Sequence, residues 1–452
     1  ILSSGDFSWI PDIWTDTSWN TRRVLGAEFL PVRDTDILID FRLFGSNWAA
    51  FHIGNLLWYL LGCSLFLGIC RHILGTGASS WIAAALFCVH PVHTENVAWL
   101  ASRKDLLGLV FFLGAWWLWL RQMQRGRSTA LVFLLFVLGV WSKNTTIVLP
   151  AVLVLSDLLL HQKKFRDRIG HWTLWGLLTL PLIALSTALG RQMRLFGEPV
   201  FKGLPDGAAL QIQLWREDLG RMFWPEDLAL VYPLPQVSDS LHLLFSALLL
   251  SGLLLAAWRA RHHIGPLTLG IVLFFVCSLP TSVFNHLQNT SADRYLLLPS
   301  LGIALMLGTL LRLEDHRGGK MLHTGLLIAL LPLAFSSHNQ AKKWRNDVSL
   351  WSASAEAQPS VLKNLTGTVR ALRHAGQPQK AIEMLNAGHN SFGDQALFYQ
   401  SRGATHQMLG QAESAEADYR KALSLNTELR ISGNDLAVIL GTSGRLQEGI
   451  QV

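Results

Sequence analysis

Residues 80–120 read SWIAAALFCVHPVHTENVAWLASRKDLLGLVFFLGAWWLWL. Two apolar runs enclose a gap that carries His90, His93, Glu95, Arg103, Lys104 and Asp105. Polar groups are costly inside a bilayer, so this alternation predicts membrane helices joined by a charged connection at one face. Runs of the same kind fall at 51–70, 80–95, 106–120, 129–142, 146–160, 171–189, 241–258, 265–284, 295–312 and 321–337. Several are shorter than the ~20 residues of a perpendicular span. With half of its 452 residues hydrophobic and only 15% charged, the chain is too apolar for an ordinary soluble protein. The expected fold class is all-α, a polytopic transmembrane bundle of ten helices, to within one or two.

The net charge of +7 does not point to nucleic acid, because the basic residues sit in short connections rather than on one soluble face. Numbered alternately, one set of connections holds Arg71, Arg121, Arg125, Arg127, Lys163, Lys164, Arg166, Arg168, Arg259, Arg261, Arg312, Arg317 and Lys320. The short connections of the other set hold only Arg103, Lys104, Lys143 and Arg294. The positive-inside rule makes the first set cytoplasmic and turns residues 90–105 outward, towards a periplasm or a lumen. The expected location is therefore a bacterial inner membrane or an ER membrane, with the tail on the outer side. Cys63, Cys70, Cys88 and Cys277 lie in or beside apolar runs, so no disulfide framework is implied. The chain opens at Ile1 on a polar stretch already outside, and a signal peptide or, in preference, a first membrane helix is expected upstream.

Three regions follow: an outer stretch 1–50, a membrane domain 51–337 with an outer loop at 190–240, and a soluble tail 338–452. In that loop Leu210, Leu214, Leu219, Met222 and Phe223 recur at helical spacing, which predicts an amphipathic helix lying either in the interface or over the protein. The tail shows a period of 34 residues: Gly376, Gly410 and Gly444; Ala381, Ala415 and Gly449; Trp351, Leu385 and Tyr419. Three columns sharing one period match the tetratricopeptide (TPR) pattern of paired helices, an α-solenoid incomplete at its C-terminal end.

Four outer clusters carry chemistry-bearing residues. His90, His93 and Glu95 suggest zinc at first sight, but a catalytic site needs a third ligand in defined geometry, and Pro91 interrupts a helix across the pair. A phosphate-handling site using Arg103 and Lys104 is the functional alternative, and end-capping with Asp105 as an N-cap the structural one. Asp34 and Asp36, beside Arg33, suit a general base or an orienting group; Asp36, Asp40 and Arg42 equally suit an ion-paired helix face. Asn285 to Asn289 with Asp293-Arg294-Tyr295 forms the third cluster, where Arg294 either binds an anion or snorkels. Lys143, after Trp141-Ser142, is either interfacial or a phosphate contact.

His90-Pro91-Val92-His93-Thr94-Glu95, Ser102-Arg103-Lys104-Asp105-Leu106-Leu107, Trp141-Ser142-Lys143 and Ala292-Asp293-Arg294-Tyr295-Leu296, followed by TPR units, resemble the transmembrane-and-TPR O-mannosyltransferase (TMTC) family and its bacterial relatives. The resemblance spans nearly the whole chain. It implies a GT-C glycosyltransferase fold that transfers a sugar, mannose among the candidates, from a polyprenyl-phosphate donor to a protein acceptor held by the TPR tail. It further implies Asp34, Asp36 and Glu95 as acid/base or orienting residues. Arg33, Arg103, Lys104 and Arg294 become donor-phosphate contacts, and His90, His93 and Lys143 positioning residues. In that family an acidic pair follows the first helix. Ile1 to Ser4 resembles the segment just after it, which puts the acceptor-activating base upstream of Ile1. No metal or other cofactor is implied, and a divalent ion is left open. The rival readings are a membrane-anchored TPR scaffold without catalysis and a polyprenyl-lipid transporter or polymer ligase. A transporter calls for ionisable residues near mid-membrane, which these runs largely lack.

Overall fold

A computed structural model describes residues 2–26, 28–122, 129–160, 169–192, 200–235, 240–285, 287, 289–316 and 320–451. Arg125, Arg127, Lys163, Lys164, Arg166, Arg168, His286, Gln288 and Arg317 lie outside the described residues. The fold is helical throughout, with no strand among the described residues. The chain divides into two compact units, one of Ile1–Glu226 with Leu234–Ala341, the other of Asp227–Pro233 with Lys342–Val452.

In the first unit, helices occupy Trp48–Leu74, Ala78–Val89, Arg103–Gln122, Ala130–Ser142, Leu149–Leu160, Ile169–Gln192, Ser240–Ala260, Gly265–Ser278, Pro299–His316 and Met321–Lys343. Four segments, Trp48–Leu74, Ser240–Ala260, Gly265–Asn285 and Met321–Lys343, are long and apolar enough to cross a membrane. Two boundaries depart from the apolar runs for local reasons. The run 80–95 stops being helical at Val89, because Pro91 lacks an N–H and pushes His90 into an extended conformation (ψ 126°). The run 295–312 starts its helix at Pro299, whose fixed φ suits the first helical position. Between Val89 and Arg103 the chain makes only short turns, Pro91–His93, Thr94–Ala98 and Leu100–Ser102.

The core gathers Phe66, Phe112, Trp116, Phe136, Leu153, Leu273 and Leu305. Two of its indoles are matched: Trp116 Nε1 donates to Ser156 Oγ at 2.9 Å and Trp119 Nε1 to Asp157 Oδ1 at 3.2 Å. The 265–278 and 299–316 helices touch backbone to backbone. A Cβ on Gly302 would fall 2.5 Å from the Gly270 carbonyl oxygen, and one on Gly270 would fall 2.7 Å from Met306 N. Small residues permit such close crossings in membrane helices. The amphipathic Leu204–Phe223 helix lays its apolar face on protein, Leu210 and Leu214 against Val283, Leu219 and Met222 against Val92, Phe274 and Leu296. Phe223 and Trp224 stay exposed.

In the second unit, helices start at 362, 396 and 430, and their partners at 378, 412 and 446. Both series step by the 34 residues of the sequence period. Gly376, Gly410 and Gly444 close the turn inside each pair at φ +71°, +74° and +80°, a region where a Cβ is penalised. A Cβ on Gly403 would sit 3.0 Å from the Tyr419 ring. Asn364, fully buried, ties the Asp227–Pro233 segment into this unit. Its Nδ2 donates to Val231 O at 3.0 Å and its Oδ1 accepts from Ser354 Oγ at 2.9 Å, while Ser354 Oγ accepts from Leu230 N at 2.9 Å.

Gly302→Ala is expected to overpack the helix crossing and cost about 1–3 kcal/mol, read as a lowered unfolding midpoint in detergent. Asn364→Ala is expected to cost about 1–3 kcal/mol by stranding buried partners, read as earlier proteolysis of the second unit.

Candidate functional site

The polar end of the first unit is built from six short pieces of chain. Gly26, at φ +100°, turns the chain ahead of Glu28, and Pro31 opens a helix, Pro31–Phe44, that carries Arg33, Asp34, Asp36 and Asp40. The broken stretch after Val89 supplies His90, His93 and Glu95, and the first turn of the next helix supplies Arg103, Lys104 and Asp105. Lys143 leaves the end of the Ala130–Ser142 helix in an extended conformation, and Arg294 lies in the 3-10 turn Asp293–Leu296.

These groups fall into an ion-paired layer and a cavity wall. In the layer, Arg103 is buried under Asp36 at 2.6 Å, Asp40 at 2.8 Å, Asn55 Oδ1 at 2.5 Å and Phe51 O at 3.0 Å. Asp34 is enclosed between Arg33 at 2.6 Å and Arg22 at 3.4 Å. Arg22 is fully buried and also donates to the carbonyls of Ile13 at 2.7 Å and Asp16 at 2.7 Å. His93 bridges Tyr59 Oη at 2.8 Å and Ser300 Oγ at 2.9 Å, and His90 reaches the Met222 carbonyl at 2.9 Å. Burial pushes both imidazoles below their ordinary range, His93 furthest, so they act here as neutral struts. Among the described residues no three His, Cys, Asp or Glu side chains are grouped to hold a metal ion.

The wall belongs to a cavity of about 450 Å³, where Lys104, Lys143 and Arg294 face Glu28, Trp99 and Tyr295. Behind it, Asp105 Oδ1 lies 3.2 Å from Lys143 Nζ. Glu95 holds the Arg294 guanidinium at 2.6 Å and its backbone N–H at 3.0 Å. Arg294 also stacks over the rings of Trp99 at 5.3 Å and Tyr295 at 4.9 Å, which fixes its plane. Glu28 contacts Lys104 directly and lies 3.7 Å from Arg33. Burial opposes its ionisation, but the charges of Lys143, Lys104 and Arg33 outweigh it and hold the carboxyl at about 2. Lys143 is held above its ordinary value, because Asp105 and Glu28 outweigh the effect of burial. Burial and the Lys143 charge hold Lys104 below it.

Three residues singled out in sequence, Lys104, Lys143 and Arg294, thus converge on one cavity. Glu95 stands directly behind it, while Arg33, Asp34, Asp36 and Arg103 belong to the neighbouring layer. His90 borders a separate apolar cavity of about 370 Å³, together with Ser300. Glu28 was not singled out; its only mark in the sequence is an acidic group in a tight turn before Pro31.

The arrangement defines a helical protein with membrane-length apolar helices and a cation-lined cavity at the polar end of the first unit. The curated homologues of this chain are protein O-mannosyl-transferases of the TMTC family. It is 24% identical to TMTC3 of Mus musculus over 466 aligned residues, covering 89% of this chain and 50% of the relative. A Caenorhabditis elegans protein O-mannosyl-transferase is 22% identical over 358 residues, 74% of this chain and 49% of the relative. Tmtc3 of Drosophila melanogaster is 22% identical over 458 residues, 83% and 50%. The chain spans about half the length of these relatives. No family model matches it, and no solved structure does.

The Glu28 carboxyl is held at about 2 in the fold against an ordinary 4.5. Its contribution to stability is therefore complete above pH 4.5 and disappears as the pH falls through about 2. Acid unfolding followed between those values should show a shallower pH dependence in Glu28→Gln than in the parent protein.

Proposed function

We propose that this chain is a multi-pass membrane glycosyltransferase of the GT-C type. It transfers a sugar, mannose by the names of its relatives, from a polyprenyl-phosphate donor to a protein hydroxyl on the outer side of the membrane. The observation that carries the reading is the cavity in which Lys104, Lys143 and Arg294 share a wall. In the transfer, the bond from sugar C1 to the phosphate oxygen breaks, and the acceptor oxygen bonds to C1 and releases its proton. The departing polyprenyl phosphate gains negative charge, and fixed cations near that oxygen stabilise the transition state more than the ground state. Mannose carried on a lipid needs no nucleotide-binding glycine loop, and the sequence has no glycine-rich loop followed by Gly-Lys-Ser or Gly-Lys-Thr.

Donor-phosphate contact falls to Lys104, Lys143 and Arg294. Arg33 and Arg103, with Asp34 and Asp36, orient the wall through their ion pairs, and His90 and His93 hold the 90–105 stretch in place. Among the carboxylates proposed from sequence, Glu95 orients a cavity cation, because it stands one side chain behind the cavity with both oxygens engaged by Arg294. The second unit, whose helix pairs repeat every 34 residues, supports the TPR reading and with it the binding of the acceptor polypeptide. A scaffold without catalysis is the second reading. It is favoured by the carboxylate partner that each of the three cations has.

In the full-length protein, Lys143→Ala combined with Arg294→Ala should lower mannose transfer from a polyprenyl-phosphate donor to a peptide about a hundredfold or more, with membrane insertion intact. Undiminished transfer by that variant would favour the scaffold.

A further inference from the structure

The three carboxylates facing the cavity's cations are held in different ways. Glu95 is fixed by a backbone N–H as well as a guanidinium, and Asp105 lies behind Lys143 at the start of its own helix. Glu28 lines the cavity itself, together with the lysine it contacts. Its side chain, 24% exposed, is gripped by charge: Lys104 in contact, Arg33 at 3.7 Å, and the field of Lys143. A carboxylate on the wall of a cationic cavity, within reach of the same ammonium groups as an entering anion, resembles that anion in charge and in its oxygen acceptors.

We infer that Glu28 is an internal counter-anion that occupies the cationic cavity in the empty protein and must yield Lys104 to the phosphate of an isoprenoid-phosphate ligand. The inference rests on the donor-site reading above and adds a regulatory element to it. Displacement does not strand a buried charge, which would be expensive. When Lys104 turns to a phosphate oxygen, Arg33 remains beside Glu28 to take over the pairing. The internal anion keeps the ammonium groups compensated while the cavity is empty. It also sets a threshold, since a ligand must offer a better anion than Glu28. An uncharged isoprenoid has nothing to exchange and gains nothing at this wall.

The test measures binding of farnesyl phosphate, inorganic phosphate and farnesol to the detergent-solubilised whole chain, alongside Glu28→Gln, Glu28→Asp and Lys143→Ala. Removing a competing ion pair of ordinary strength should tighten farnesyl phosphate binding about fivefold in Glu28→Gln. Glu28→Asp, which retracts the charge by one methylene, should fall between parent and Gln and serves if the Gln protein does not fold. Farnesol binding should be unmoved by either. A gain for inorganic phosphate as well would show that the headgroup alone is exchanged, and a gain for farnesyl phosphate only would show that the chain is needed to seat it; both support the exchange. Unchanged or weaker farnesyl phosphate binding in both Glu28 variants, with weaker binding in Lys143→Ala, would overturn the role of Glu28 and leave the donor site standing. Binding indifferent to Lys143 as well would overturn the two together.

Discussion

Charge withdrawn from water must be met by opposite charge or by hydrogen bonds, and the polar end of this protein is organised by that requirement. Arg103 is the clearest case. It is 2% exposed and has three acceptors, Asp36, Asn55 and the Phe51 carbonyl, and an ion pair with Asp40, from the Pro31–Phe44 helix and the first turns of the Trp48–Leu74 helix. Removing any one of them would leave a buried guanidinium partly uncompensated, so the Pro31–Phe44 helix and the helical body are locked to each other through this side chain. Arg22, Asp34 and Arg33 repeat the arrangement one step further from the body. The cavity beside this layer inherits its rigidity, and the cations on its wall are presented from fixed backbone.

Close backbone packing does the same work from beneath. Gly54 lies under the Arg103 guanidinium, where a Cβ would fall 2.6 Å from Nη2. Gly108 faces the chain at Lys143, where a Cβ would fall 3.0 Å from the lysine's own Cβ. Each glycine lets a charged residue pack closely on the neighbouring helix, where a side chain would push it back. The cavity geometry therefore depends on packing inside the helical body, not only on the residues that line it: a side chain at Gly108 would press on Lys143, and one at Gly54 on the Arg103 of the neighbouring layer.

The helical body was legible because its helices announce themselves as apolar runs: helices lie on all ten runs read from the sequence, and four described segments are long and apolar enough to cross a membrane. Boundaries were less legible. Hydropathy continues through His90 to Glu95, whereas the helix stops at Val89 because Pro91 interrupts the hydrogen-bond ladder. The 34-residue period was visible because left-handed turns select glycine so strongly at 376, 410 and 444. The embedding of Asp227–Pro233 in the second unit was not visible, since it is made by Asn364 and Ser354 with main-chain atoms, which carry no sequence signal.

By itself the sequence determined the helical class, the apolar segments, the repeating tail and the clustering of charge in a few connections. Those features depend on residue type and spacing along one chain. Only the tertiary structure decided which charges meet. It sorted Arg103 into a buried layer and its neighbour Lys104 onto a cavity wall, because adjacent residues on a helix point about 100° apart and meet different partners. It brought Lys143 and Arg294 to that wall from distant segments and introduced Glu28, whose role no local pattern announces. Ion pairing across such separations is a property of three-dimensional proximity, which a linear pattern of charges leaves undetermined.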